Sequence, residues 1–438
     1  METIHIIGGG LAGAECAYTL SMQGVPVKLY EMRPEKRSPA HKTDFLGELV
    51  CSNSLKADRP NSAGGMLKRE MDFFGSLTLT CARKTKVPAG GALAVERADF
   101  AREITEALEK NPFVEIIRGE VTELPKDGYV VIATGPLTSD GLTPVLEELC
   151  GESLSFYDAA APIVTRESID LTRAFFAARY GRGEDDYLNC PMEKEEYDRF
   201  IEELVHAEGA PLHEFDQAGN FKVYEGCMPV EVLAKRGPDT LRFGPLKPVG
   251  LTDPNTGRRP YAVVQLRAED RQGENYNLVG FQTNLKFPEQ KRVFSMIPGL
   301  TNAEFTRYGV MHRNTFIDAP RLLNKDLSLK KEPRIFFAGQ ITGVEGYMES
   351  AAMGILAGLQ ILSRILGEEM LVLPPETMMG ALQAHVSNGD THNYQPMGAS
   401  MGLLPPLGER EKDKQVRYQK VSDRGYQILK KMAGQATE

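Results

Sequence analysis

Thr3-Ile4-His5-Ile6-Ile7 runs directly into Gly8-Gly9-Gly10-Leu11-Ala12-Gly13, and the reading of these residues decides the fold. The β-rich run predicts a short buried strand. Ala14 to Gln23 reads as a helix, stopped by Gly24 at the position a C′ glycine takes. Val25–Tyr30 reads as a second strand, with Pro26 near its start where a missing N–H is tolerated, and Glu31 closes it. Strand, glycine turn, helix and strand form one β-α-β unit within about 30 residues. Each glycine of Gly8-x-Gly10-x-x-Gly13 has its own duty. The first makes the turn, the second lets backbone approach a pyrophosphate, and the third lets the helix pack on the strand. The helix N-terminus then offers free N–H groups and a positive dipole end to the phosphates. Glu31 stands where a carboxylate that binds ribose hydroxyls is expected. Gly8, Gly9, Gly10, Leu11, Ala12, Gly13 and Glu31 are therefore the expected dinucleotide contacts.

Further along, Phe100–Glu109 has helical periodicity, and Val114–Ile117 and Tyr129–Ala133 read as strands. The second of these stops at Thr134-Gly135-Pro136. A late buried strand, Ile335–Ala338, opens into Gly339-Gln340-Ile341-Thr342-Gly343, followed by a helix from Ser350 to Leu366 with Gly367 as its stop. This late element separates FAD from NAD. Flavoproteins of the glutathione-reductase type return a late strand to the first sheet, and the helix after it points its positive end at the flavin's pyrimidine edge. Gly135, Gly339 and Gln340 join the expected FAD contacts on that ground. The fold class expected is α/β, a Rossmann-like FAD-binding domain of glutathione-reductase type with an inserted α+β domain. The insertion is placed at 156–299, rich in Pro, Tyr and charge, with strand candidates Tyr261–Leu266 and Asn277–Phe281. Residues 1–155 and 300–438 make the discontinuous FAD-binding domain. The tail after Pro405 reads as a charged surface helix.

Composition narrows the class. With 42% apolar and 25% charged residues, a chain of 438 residues reads as globular, not disordered. No targeting segment is visible at the N-terminus, and no apolar run reaches a bilayer's thickness, so a cytoplasmic protein with no membrane partner is expected. None of the six cysteines forms a CxxC pair and no His/Cys cluster has zinc spacing, so no metal is expected. The net charge of −9 taken alone disfavours nucleic acid, but it is unevenly spread. Glu184 to Glu208 holds ten acids against two bases, whereas Lys286 to Arg334 holds ten bases against five acids. Glu409 to Lys431 holds eight bases against four acids. Polyanion binding needs a basic face, not a basic protein, and these two basic segments are the candidates for phosphate contact.

Several motifs together resemble the folate- and FAD-dependent tRNA uracil-5-methyltransferases. They are Gly8 to Glu15, Glu31-Met32-Arg33-Pro34, Val50-Cys51-Ser52-Asn53-Ser54-Leu55, Val87 to Val95, Asp186 to Pro191 and Gly309 to Thr315. Gly339 to Tyr347 is shared with the flavin-dependent wobble-uridine modification enzymes, which are much longer chains with a C-terminal helical domain. The resemblance implies that 5,10-methylenetetrahydrofolate donates a one-carbon unit to C5 of the T-loop uridine of tRNA, at tRNA position 54. It also implies that NADPH or NADH reduces the flavin, which supplies the electrons that complete the methyl group. A wobble-uridine enzyme and a small-molecule flavin oxidoreductase without RNA substrate are the alternatives.

Such chemistry suits two thiols. Uracil C5 is a poor nucleophile until a thiolate adds at C6, and the C5 proton must then leave to a base. Two cysteines match the family's catalytic pair. Cys227, in Tyr224-Glu225-Gly226-Cys227-Met228-Pro229, is assigned as nucleophile, and Cys51 as acid/base partner or second thiol, with the order open. Cys16 and Cys190 are read as structural. His41 and His312 lie in family-like loops and are given no role.

Overall fold

The computed structural model describes residues 2–38, 40–151, 154–159, 161–181, 184–210, 228–270, 272–309, 311–389, 391, 394, 396–409 and 411–434, with backbone alone for 154–159 and 311–315. The first sheet is built as the glycine motif requires. Ile4–Ile7 lies between Val27–Glu31 and Tyr129–Ile132, parallel to both. Val114–Arg118 extends the sheet on one side and Glu332–Phe337 on the other, both parallel. Ser328–Leu329 closes the edge antiparallel. The late strand thus pairs with the strand that ends at Gly135, which brings both glycine-rich strand ends to one edge of the sheet.

The helix after the late strand spans Tyr347–Leu366 and begins one turn before the expected Ser350, at Gly346. Gly367 ends it in the left-handed conformation. Its length and composition would let it cross a membrane, but 67% of its apolar window is buried inside the fold. It crosses the first helix, Leu11–Ser21, at backbone distance. A Cβ on Gly354 would sit 2.1 Å from the carbonyl oxygen of Ala12, and one on Gly358 3.0 Å from Cβ of Thr19. Small residues on both helices make the crossing possible.

A second sheet is antiparallel. Its strands run Phe175–Phe176, Tyr187–Met192, Ala262–Ala268, Asn275–Leu278, Ile163–Thr165 and Phe305–Arg307 in spatial order. It has its own core, from Ala161 to Ala303, with helix Lys194–His206 and helix Phe287–Phe294 packed against it. The chain enters and leaves this region through an antiparallel ribbon of Leu154–Ala159 and Met311–Phe316. The second core and its last strand therefore run past residue 299, up to the start of the returning ribbon. A small third sheet, Ser54–Ala57, Lys86–Val87 and Ala92–Val95, carries the segment after Cys51.

Some residues of the basic segments pair with the protein's own acids. Lys286 pairs with Glu208, and Arg292 with Glu203 and Glu289. The acidic helix Lys194–His206 and the basic helix Phe287–Phe294 are neighbours, which explains their opposite local balances. In the tail helix, Lys414–Met432, Lys420 pairs with Glu409 and Glu411, and Arg424 donates to the carbonyls of Pro405 and Pro406.

The same tail packs on helix Ala63–Phe73, whose Glu70 reaches the next element. Glu70 is buried, and its carboxylate accepts from the backbone N–H of Met378 and Met379 at 2.8 Å each, capping helix Met378–Ser387. Burial outweighs these two donors and pushes the carboxyl up from its ordinary 4.5 to about 7. A raised folded-state value means that the folded chain holds a proton the unfolded chain releases. The stabilising contribution is complete below the unfolded value, and it is lost as pH rises from 4.5 to 7. The loss is on the order of 3 kcal/mol. Glu70→Gln is expected to flatten this part of the melting-temperature profile relative to wild type, measured from pH 4 to 8. Parallel profiles would mean that Glu70 stays ionised in the fold.

Candidate dinucleotide cleft and the Cys51 loop

The two glycine-rich strand ends face a partly open cleft. Gly8, Gly9, Gly10, Leu11, Ala12, Glu31, Gly135 and Gln340 line it. Gly13 and Gly339 do not, and their glycine identity has a packing cause. A Cβ on Gly13 would lie 1.9 Å from the carbonyl oxygen of Gly8, and one on Gly339 2.6 Å from Cβ of Ala12. Gly8 has φ +108, and its Cβ would lie 2.5 Å from the carbonyl oxygen of Ala133.

Gly10 and Gly135 differ from these. No protein atom lies within 4 Å of where either Cβ would be. At Gly10, the N-cap of the first helix, the extended backbone needs no glycine either. The space there is open toward the cleft at a helix N-terminus, where an anion is favoured. The residues present therefore fit the pyrophosphate of a dinucleotide.

Glu31 is held by groups that the sequence reading did not assign. Arg33 is almost fully buried, and its Nε and Nη2 donate to the two carboxylate oxygens at 2.9 and 3.0 Å. The N–H of Gly9 donates to the same carboxylate at 3.2 Å. Burial alone would raise Glu31, but the hydrogen bonds and charge of Arg33 hold it below the usual carboxylate range. Arg33 is held in turn by Glu48, at 2.9 Å. Glu31 thus stays ionised and oriented, as an acceptor of ribose hydroxyls must be. At the other end of the cleft, the amide nitrogen of Gln340 donates to Glu345 at 2.9 Å. His41 lines the cleft and its Nδ1 lies 2.7 Å from the hydroxyl of Ser38.

Cys51 lies beside the cleft. Val50 and Tyr347 both line it, and the Tyr347 hydroxyl accepts from the N–H of Cys51 at 2.7 Å and of Ser52 at 3.2 Å. The residues on either side of Cys51 are gripped by arginines. Arg307 donates to the carbonyl of Val50 at 2.8 Å. Arg267 donates to the hydroxyl of Ser52 and the side-chain oxygen of Asn53, both at 3.1 Å. The side chain of Asn53 donates to the carbonyl of Ala268 at 3.0 Å. Since Arg267, Ala268 and Arg307 belong to the second sheet, the Cys51 loop is where the two cores meet. Cys227 lies outside the described residues, as does the side chain of His312. Cys16 and Cys190 are fully buried, and burial pushes both thiols up, Cys190 to about 12, which suits the structural role read for them. Among the described residues, no group of three His, Cys, Asp or Glu side chains could hold a metal ion.

A parallel sheet with a glycine cradle, a buried acid lining the cleft and a late strand returned to the same edge defines a Rossmann-like fold of glutathione-reductase type. Residues 3–369 match the family model described as glucose inhibited division protein A. The fold is similar to Aquifex aeolicus GidA, with TM-score 0.69 at 16% identity, over 99% of this chain and 76% of that longer one. The chain is 55% identical over 431 residues to the methylenetetrahydrofolate–tRNA-(uracil-5-)-methyltransferase TrmFO of Acetivibrio thermocellus, covering 98% of each. It is 56% identical to the TrmFO of Heliobacterium modesticaldum, covering 98% of this chain and 97% of that one. The chain belongs to the TrmFO family. Its match to nearly the whole length of these relatives sets it apart from the longer GidA chains.

Proposed function

We propose that the protein transfers the one-carbon unit of methylenetetrahydrofolate to C5 of the T-loop uridine at tRNA position 54, in the cytoplasm, with FAD in the cleft and NADPH or NADH as reductant. The observation that carries this reading is the pairing of an open glycine cradle with a cysteine loop at its rim, in a chain whose relatives bear that activity in their name. When bound, FAD supplies the two-electron chemistry that takes a methylene to a methyl group.

The chain's own residues do the rest. The first helix's N-terminus and the backbone at Gly9 and Gly10 hold the pyrophosphate. Glu31, kept ionised by Arg33, holds ribose hydroxyls. Gln340 and Tyr347, at the N-terminal turn of the late helix, line the cleft and would meet the flavin ring. Cys227 adds to C6 of the uridine, and Cys51 handles the C5 proton or serves as second thiol. Tyr347 fixes the backbone of Cys51 at the cleft rim.

The test is a methylation assay with tRNA, methylenetetrahydrofolate, FAD and NADPH, leaving out each in turn. Product is expected only in the complete mixture, on tRNA with uridine at position 54 and not on tRNA with another base there. Methylation that survives the loss of folate, or modification at the wobble position, would overturn the reading.

A further inference from the structure

Three guanidinium groups converge on five residues. Arg97, at the start of helix Arg97–Glu109, reaches the carbonyl of Leu49 at 3.5 Å. Arg307 takes the carbonyl of Val50, and Arg267 takes the side chains of Ser52 and Asn53. Cys51 is at the centre of this run. Other charged groups among the described residues are few. Glu269 pairs with Arg97 at 2.7 Å, and Glu48, three residues before Cys51, is committed to Arg33. Tyr347 is the remaining titratable neighbour, and burial pushes its hydroxyl up, so it stays neutral at the cleft rim. Among these described groups, with Glu48 and Arg33 paired to each other, three cations on the Cys51 loop face one carboxylate, Glu269.

The cations are held at some cost. Burial lowers Arg307 from its ordinary value, and the charge of Arg97 lowers it further. Arg97 is also opposed by burial, and its pairing with Glu269 raises it. Arg97 Nε and Glu269 Oε1 are buried with no hydrogen-bond partner. Two like charges kept close in a poorly hydrated place, with donors to spare, are more than a loop needs to be fixed. A thiolate in the loop they hold would offset the repulsion.

We propose that Arg97 and Arg307 are positioning residues that keep the Cys51 thiol ionised near neutral pH, and that Arg307, delivered by the second sheet, makes this depend on the two cores being docked. The chemistry is a proton equilibrium. Cys51 gives its proton to water, and the two guanidinium groups stabilise the thiolate left behind. A thiol in this state accepts the C5 proton of a uridine, or adds to an electrophile, without a separate base. The proposal rests on the reading of Cys51 as a functional thiol, but its central claim concerns ionisation alone.

The experiment follows alkylation of the holoenzyme by iodoacetamide from pH 5 to 10, resolved by mass spectrometry to the peptide that contains Cys51. In wild type the rate at Cys51 is expected to reach half its maximum below neutral pH. Arg97→Met and Arg307→Met should each move that midpoint up by about one pH unit or more. Arg97→Lys should restore most of it, because the charge is kept. Retained flavin absorbance reports that each variant is folded, and Arg307→Gln replaces Arg307→Met if the latter loses flavin. If the Met variants keep the wild-type midpoint while their melting temperatures fall, the arginines only clamp the cores together and the proposal is overturned. The wider reading fails differently. If Cys51→Ala methylates tRNA at the wild-type rate, the ionised thiol exists but has no part in the reaction.

Discussion

Gly10→Val is expected to yield a folded protein without flavin. A Cβ at Gly10 has no protein neighbour within 4 Å beyond the adjoining residues, so the fold leaves room for a side chain to start toward the cleft. The extended backbone there suits a β-branched residue. The only thing displaced is a ligand phosphate at the helix N-terminus. FAD affinity should fall on the order of 100-fold or more, about 3 kcal/mol. The melting temperature of the protein stripped of FAD should stay within a few degrees of stripped wild type. Gly13→Val makes the contrast, since its Cβ would lie 1.9 Å from the Gly8 carbonyl oxygen. The strand and helix must part, which costs more than about 4 kcal/mol and should leave little soluble protein. Absorbance at the flavin band and melting curves of the stripped proteins separate the two outcomes. A Gly10→Val protein that stays yellow would place the pyrophosphate elsewhere.

The contrast also shows what could be read from the sequence. The glycine spacing, the first two strands and Glu31 follow from local chemistry, because each glycine answers a contact within a few dozen residues. The late strand and Gly367 were legible for the same reason. The motif divides ligand from packing duty at Gly10 and Gly13, but it says nothing of the glycines outside it. Gly339 was read as a cofactor contact, but the atom that demands glycine there is Cβ of Ala12, more than 300 residues away in the chain. Arg33 was quoted within a motif and given no role, although its position two residues after Glu31 puts both on one face of an extended segment. Arg97, Arg267 and Arg307 carried no signal at all. Each comes from a different element, and only the folded chain brings them to the Cys51 loop. The basic segments show what such a reading leaves out. A local charge count cannot see that Lys286 and Arg292 are met by Glu208 and Glu203 from another helix and its end.

Cys227→Ala and Cys51→Ala are both expected to lose tRNA methylation almost completely, for different reasons that one substrate separates. Cys51 sits at the rim of the cleft without lining it, and Cys227 belongs to none of the glycine-rich nucleotide loops, so both variants should bind FAD and be reduced by NADPH like wild type. Without attack at C6, C5 of the uridine is not activated, and no carbon–carbon bond forms. Without the second thiol, the step that removes the C5 proton fails. A tRNA with 5-fluorouridine at the target traps the difference, because fluorine cannot leave as a proton does. A covalent protein–RNA adduct should accumulate with wild type and with Cys51→Ala, and vanish with Cys227→Ala. The adduct is read by its slow migration on a denaturing gel. If Cys51→Ala abolishes it and Cys227→Ala keeps it, the two roles are exchanged, and the arginine-flanked thiol is the one that attacks. If both variants methylate normally, neither thiol takes part in the reaction, whatever the ionisation of Cys51.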